Sequence, residues 1–212
     1  MATKSNANTP KSTVFEYRGI DSVYYAKVTA DTAEGIAWET PKYLCPIAEL
    51  SKETETNSAV HYYDNKALIS LASEGADTVT LSTSVIPIDV LAEITGRYFD
   101  IATGAMSENI ANAPDIALLY RTKGTDGHYR YVVRYKCKAN IPSDTVSTED
   151  DGTDANGQEL TLTGVNTVYD FTKGGSAKAL VVDTRYGDAN LTDFFTEVKT
   201  IDTIAVKTAS AA

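Results

Sequence analysis

The sequence has little of what catalytic sites and secreted scaffolds are built from. Its 212 residues include two cysteines, two histidines, two methionines and one tryptophan. Two thiols, Cys45 and Cys137, cannot form a disulfide framework, and their spacing fits no zinc motif. They are expected to be half-buried thiols in a reducing cytosol, with a single bridge between them as the alternative. Neither His61 nor His128 has a cysteine or a second histidine at ligand spacing, and there is no His-Glu-x-x-His or Gly-x-Ser-x-Gly pattern. No apolar run approaches the roughly 18 residues of a membrane span. The opening Met1 to Lys11 is polar and does not read as a secretory leader. Cations are also scarce: 19 Lys and Arg against 29 Asp and Glu, for a formal net charge of −10. DNA affinity rests on cationic contacts. This balance argues against a general nucleic-acid binder, though not against a wall along which DNA slides without sticking.

The remaining chemical candidates are weak. Asp64, Asp144, Asp150 and Asp151 could ligate calcium, but no calcium-loop pattern surrounds them. Lys173-Gly174-Gly175-Ser176-Ala177-Lys178 only faintly resembles a phosphate loop and reads as a β-turn. No nucleophile, base and orienter converge in the sequence. Hence no catalytic residue, cofactor or metal is expected.

What is abundant favours strands. Tyrosine outnumbers phenylalanine 13 to 5, and Thr and Val recur throughout. The chain reads as one β domain over 14–206, between a flexible N-terminal arm (1–13) and a flexible tail (207–212). Short strands are expected at Val14–Tyr17 and Val23–Thr29, with a turn at Arg18-Gly19. Strict alternation around Val79, Leu81, Thr83 and Val85 marks a half-buried strand. Pro87 opens a short helix over Ile88–Thr95 and Gly96 closes it. Thr125-Asp126-Gly127 joins Ile116–Thr122 to Tyr129–Ala139 as a hairpin. On its return arm, parity places Tyr129, Tyr131, Val133, Tyr135 and Cys137 on one face, and Arg130, Arg134, Lys136 and Lys138 on the other. Further strands are expected near Glu159–Thr163, Ala177–Thr184 and Ile201–Val206. Leu191, Phe194, Phe195 and Val198 have helical spacing behind Asn190, which predicts a second helix. The fold class is therefore mainly β: an antiparallel sandwich or barrel with two short flanking helices.

Two segments stand apart. About 49–66 is a long polar stretch, either a protruding loop or the solvated part of a long hairpin. About 142–158 is an acidic loop. The hairpin Arg121–Lys138 carries six Lys or Arg, and Asp144–Glu159 carries six acids. Opposite patches on one chain suit head-to-tail contacts between identical subunits, or they pair within one subunit. Arg121, Arg130, Arg134, Lys136, Asp144, Glu149, Asp150 and Asp151 are the candidates for such contacts.

Several motifs carry a resemblance. Tyr17-Arg18-Gly19-Ile20-Asp21-Ser22-Val23-Tyr24-Tyr25-Ala26, Tyr62-Tyr63-Asp64-Asn65-Lys66, Gly104-Ala105-Met106 and Pro114-Asp115-Ile116-Ala117-Leu118-Leu119-Tyr120-Arg121 occur in the order found in phi13-type major tail proteins of long-tailed bacteriophages and prophages. Together they span about Val14 to Asp202. The resemblance implies a non-enzymatic virion protein with a β-sandwich tail tube fold. It implies hexameric rings stacked into a tube, assembly in the bacterial host cytoplasm, and DNA present only in passage. Implied partners are other copies of the chain, the tape measure, the tail terminator and the distal tail protein, with no membrane. A C-terminal immunoglobulin-like domain, found in some relatives, is not expected.

Glu49, Ser51, Lys52, Glu53, Glu55, Asn57, Tyr62, Tyr63 and Asp64 become candidates for ring stacking. Deleting Ser51 to Asn57 is expected to leave a folded subunit unable to form long tubes. Two other readings stay open: a Hcp-like tube component of a contractile secretion system, and a monomeric carbohydrate- or peptide-binding sandwich presenting Tyr24, Tyr25, Tyr62 and Tyr63.

Overall fold

The computed structural model describes residues 14–146, 148 and 157–207. The expected N-terminal arm, all of the expected tail but Lys207, most of the acidic loop, and Glu149, Asp150 and Asp151 lie outside them. The strands are β1 (Tyr17–Thr32), β2 (Gly35–Trp38), β3 (Lys42–Tyr43), β4 (Ile47–Tyr63), β5 (Lys66–Thr83), β6 (Tyr98–Asp100), β7 (Ala105–Ser107), β8 (Asp115–Gly124), β9 (Tyr129–Ala139), β10 (Ser143–Asp144), β11 (Gln158–Gly164) and β12 (Ala179–Asp183). Ten of them form one antiparallel sheet, with the path β2-β1-β8-β9-β11-β5-β4. β6 and β7 form a separate pair. β9 is shared: Arg130–Arg134 pair with β12, and Cys137–Ala139 pair with β11.

The sheet buries both faces of its centre. On β8, Ile116, Leu118 and Tyr120 join one core cluster, while Ala117 and Leu119 join another. The first cluster also takes Val23 and Tyr25 from β1, Val79 and Leu81 from β5, and Leu160 and Leu162 from β11. Strands far apart along the sheet path thus share one core, so the sheet curls over itself into an open sandwich. The second cluster packs Val133 and Tyr135 against Phe171, Phe194 and Val198 of the C-terminal segment. The mainly antiparallel β class expected from sequence is what the structure shows.

Only one α-helix is present among the described residues: α1 (Ile88–Thr95). It ends as its sequence demands, with Gly96 at φ 68° in the left-handed region. Leu91 and Ile94 plug the first core. Glu93 ties α1 to β1 and β3: it accepts from the Tyr25 hydroxyl at 2.8 Å and from Lys42 at 2.6 Å, and Lys27 lies at 2.9 Å. Burial alone would raise the Glu93 carboxyl, but hydrogen bonds from Lys42, Lys27 and Tyr25 outweigh it and hold it down at about 2. Its folded pKa is depressed, so its stabilisation is complete above the unfolded value and is lost as pH falls from about 4.5 toward about 2. The difference in melting temperature between the wild type and Glu93→Gln should therefore shrink across that range. A difference that stays constant would remove Glu93 from the acid response.

The second expected helix is not formed. Leu191–Val198 is a run of turns: Phe194 N–H donates to Leu191 O, and Thr196 N–H to Asp193 O, each at 3.2 Å. The Thr196 hydroxyl also donates to Asp193 O. The Thr196 hydroxyl and the Asn190 side chain compete here for backbone groups. A segment this short gains little from helix propagation, so packing of Phe194 decides its path. Asn190, the expected cap, accepts the Thr192 N–H at 3.3 Å in a local turn instead.

Ile201–Val206 is not a strand either. Thr200 and Thr203 exchange hydroxyl and backbone bonds in a turn, and only Val206 bridges to Ala189. The first two expected strands merge into β1. Its pairing with β8 shifts register near Gly19 and Ser22, and Ser22 takes φ 58°, so the chain kinks without turning back.

A bulge also breaks the parity expected on β9. Ile116 pairs with Cys137 but Leu118 pairs with Arg134, which leaves one extra residue on β9. Tyr131, Val133 and Tyr135 face the second core, whereas Cys137 crosses to the first. Both cysteines are free and buried. Burial pushes the Cys137 thiol up to about 12, so it is chemically quiet.

Candidate assembly interface

The stretch around 49–66 is a hairpin. β4 pairs with β5 from Ile47↔Thr83 out to Tyr63↔Lys66. Asp64 and Asn65, at φ 50° and 61°, make the two-residue turn. Both central residues left-handed is the geometry that matches strand twist, and Asp and Asn tolerate it. Near the base, β5 lies between β4 and β11. Beyond Asp77, the end of its pairing with β11, only the two arm strands remain. An isolated two-stranded ribbon is marginal in water, so the anchoring at its root matters.

The root is held by a buried carboxylate. Asp77 is 3% exposed. It accepts from the Thr54 hydroxyl at 2.8 Å and from Arg134 Nη1 at 2.7 Å. Lys178 lies at 3.4 Å and Lys52 at 3.7 Å. Burial works against ionisation of Asp77, but the Thr54 hydroxyl and these three cations outweigh it and hold the carboxyl below the ordinary range. Lys178 also bonds Glu74 at 2.7 Å and the Gly75 carbonyl. Between Thr54↔Asp77 and Thr56↔Glu74 one residue of β4 faces two of β5, a bulge that bends the arm where it leaves the body.

The arm's far half is apolar and uncovered. Val60, Tyr62, Tyr63, Leu68, Ile69 and Leu71 are 43 to 68% exposed. None belongs to either core cluster. Ala59↔Leu71 and His61↔Ile69 share one face, and Val60↔Ser70 lies on the other. Apolar side chains therefore project from both faces and are left uncovered within the subunit.

The stacking candidates divide into two groups. Glu49, Ser51, Lys52 and Glu53 lie at the base, opposite Ser82, Thr80, Val79 and Thr78. Tyr62, Tyr63 and Asp64 form the tip, with Glu55 and Asn57 between. Sequence reasoning missed the return strand, with Leu68, Ile69 and Leu71, and it missed the root. Asp64-Asn65 between two strand-like runs was the available signal.

The basic candidates already have partners within the subunit. Arg121 Nε donates to Asp21 at 2.8 Å and its guanidinium lies over the Tyr129 ring at 4.7 Å. Arg130 pairs with Asp183 at 3.0 Å, Arg134 with Asp77, and Lys136 with Asp31 at 2.7 Å. These carboxylates come from β1, β5 and β12, not from the acidic loop. Asp144 is exposed and accepts from Gln158.

The chemical candidates are separated or occupied. His61 is exposed on the arm, and His128 Nδ1 is 3.3 Å from the Thr184 hydroxyl. The turn after Phe171 offers its Thr172 and Lys173 N–H groups to Asp202, at 2.8 and 3.1 Å, so an internal carboxylate sits where a phosphate would. Among the described residues, no group of three or more His, Cys, Asp or Glu is placed to hold a metal ion. Tyr25 is buried in the core and Tyr24 packs on Phe195. The four tyrosines expected on one binding face are therefore not together.

Two solved structures are similar in part. One is the sheath-tube complex, in its extended state, of an extracellular contractile injection system. It is 11% identical, with a TM-score of 0.38, over 76% of this chain and 88% of that one. The other is the tube-terminating cap of an anti-feeding prophage, 12% identical with a TM-score of 0.40, over 86% of this chain and 99% of that one. No curated protein matches the chain. The family model for phage tail tube proteins matches residues 49–199, from the base of the arm to the C-terminal segment. The chain belongs to the phage tail tube protein family.

Proposed function

We propose that the subunit polymerises into stacked rings, six subunits to a ring, and that β4–β5 is the arm that joins one ring to the next. The arm carries this reading: a β-ribbon standing clear of the body, with six large apolar side chains exposed along its far half. In water that surface is a cost. In a polymer it becomes contact area. Edge strands of neighbouring subunits pair into a closed wall, which removes edges that invite aggregation. A net charge of −10 suits a lumen that DNA passes without adhering, since like charge repels phosphate. Assembly takes place in the host cytoplasm, and the tape measure, tail terminator and distal tail proteins meet the tube as separate partners.

The hairpin geometry changes how the arm must be removed. Deleting Ser51 to Asn57 alone would strip β5 of its partner and shift the register. Replacing 55–76 by an Asn-Gly turn, which closes on the Thr54↔Asp77 pair, shortens both strands together. The expected result is a folded subunit that forms no long tubes in negative-stain electron microscopy. Tubes of normal length from this variant would sink the arm's role.

A further inference from the structure

A hollow of about 520 Å³ opens beside the root of the arm. Tyr17 and Ile20 of β1, Leu50 of β4, Tyr120 of β8, Val132 of β9 and Val181 of β12 line it. Its floor runs into the first core, where Tyr120 and Val132 are buried and Ile20 and Leu50 pack. Val181 is 55% exposed. Arg130, Arg134 and Lys52 also line the hollow. The Arg134 Nε is buried without a hydrogen-bond partner.

We infer that this hollow is the receptor for the arm tip, Tyr62-Tyr63-Asp64, of a neighbouring copy. The inference rests on the arm's role proposed above. Three observations select the occupant. Each subunit has an uncovered apolar tip and an uncovered apolar hollow, held apart by the length of an extended ribbon, so a tip cannot fold back into its own hollow. Pairing tip with tip would close a two-fold dimer and stop there. A tube must propagate, which requires unlike surfaces to meet. The chemistry also matches: tyrosine rings fill apolar pockets while their hydroxyls accept from guanidinium groups, and Tyr and Arg dominate the energetic centres of interfaces. Asp64 at the turn brings a carboxylate to a hollow lined by Lys52, Arg130 and Arg134, which pair with Asp77 and Asp183 inside the subunit, and by Glu49.

Two variants test this. Val181→Arg fills the hollow with charge on an exposed edge-strand position, and Tyr62→Ser with Tyr63→Ser disarms the tip. Thermal melts check that both subunits stay folded. Each variant alone should form no long tubes. Mixed, they should give a species one step larger than either alone, because the intact tip of the first enters the intact hollow of the second. Normal tubes from Val181→Arg would overturn the hollow as receptor and leave the arm's role standing. Normal tubes from the tip variant would overturn the arm's role itself. Loss of tubes in both variants with no larger species on mixing would give the hollow another occupant, and would also overturn the inference. The run from Leu50 to Tyr63 spans about 44 Å as extended strand, so successive rings so joined should repeat at no more than about that distance.

Discussion

Replacing Asp77 with alanine should lower the unfolding free energy by about 3–5 kcal/mol. The carboxylate sits under the bulge of β5 with Arg134 at 2.7 Å and Thr54 at 2.8 Å. Arg134 is itself buried. Removing the acid leaves a guanidinium in low dielectric with the Tyr120 hydroxyl as its remaining polar partner, at 3.4 Å, and that uncompensated charge supplies most of the loss. Asp77→Asn keeps the shape and part of the bonding, and should lose less, about 1–3 kcal/mol. Replacing both partners, Asp77→Leu with Arg134→Met, should recover most of the stability, because a buried pair exchanged for apolar side chains is often near neutral. The sign with pH follows from the depressed carboxyl: Asp77 contributes fully above its unfolded value near 4 and loses that contribution as pH falls through its lower folded value. Urea titrations of the four proteins decide the matter. Loss of under about 1 kcal/mol in Asp77→Ala would mean the root is wet and loosely held. Hydrogen exchange should rise first at Thr54 to Asn57, where the clamp meets the ribbon.

Phe194→Ala should lose a similar amount, about 3–5 kcal/mol. Phe194 is fully buried. Its ring meets Tyr131 edge-on at 4.9 Å and Phe195 at 5.2 Å. No helix holds this segment, and Phe194 is its largest fully buried side chain, packing with Val198 against the second face of the sheet. The neighbouring Phe195 is half-buried, and its truncation should lose roughly half as much. Thermal unfolding of the two variants distinguishes them. Equal losses would show that the segment packs as one unit and that Phe194 has no special place in it.

Both predictions depend on features of unequal legibility. The Asp-Gly hairpin of β8 and β9, the alternation of β5 near Val79 and Leu81, and the Pro87–Gly96 helix could be read directly because each is a local signal with a local cause. Cys137 was placed on the wrong face because one extra residue in β9 reverses every position beyond it, and nothing in the local composition announces a bulge. Leu191–Val198 has helical spacing but no helix, because apolar spacing records which side chains are buried and not which backbone bonds are made. The polar run Ser51–Ser58 was legible as a protruding feature. Its pairing with 66–83 depends on a turn whose residues, Asp64 and Asn65, were noted only as a motif. The cationic candidates Arg121, Arg130, Arg134 and Lys136 were legible as charges but not as pairs, since their carboxylates lie 53 to 105 residues away in the chain.

The sequence by itself determined the strand-rich class, the lack of metal and nucleophile motifs, the acidic balance and the family. All four are written in residue types, short spacings or motif order. Only the tertiary structure decided where the arm stands, what clamps its root, and which hollow opens beside it. Those follow from long-range register and from the burial of ionic groups. Both are set when distant strands meet, and no local window of the chain contains them.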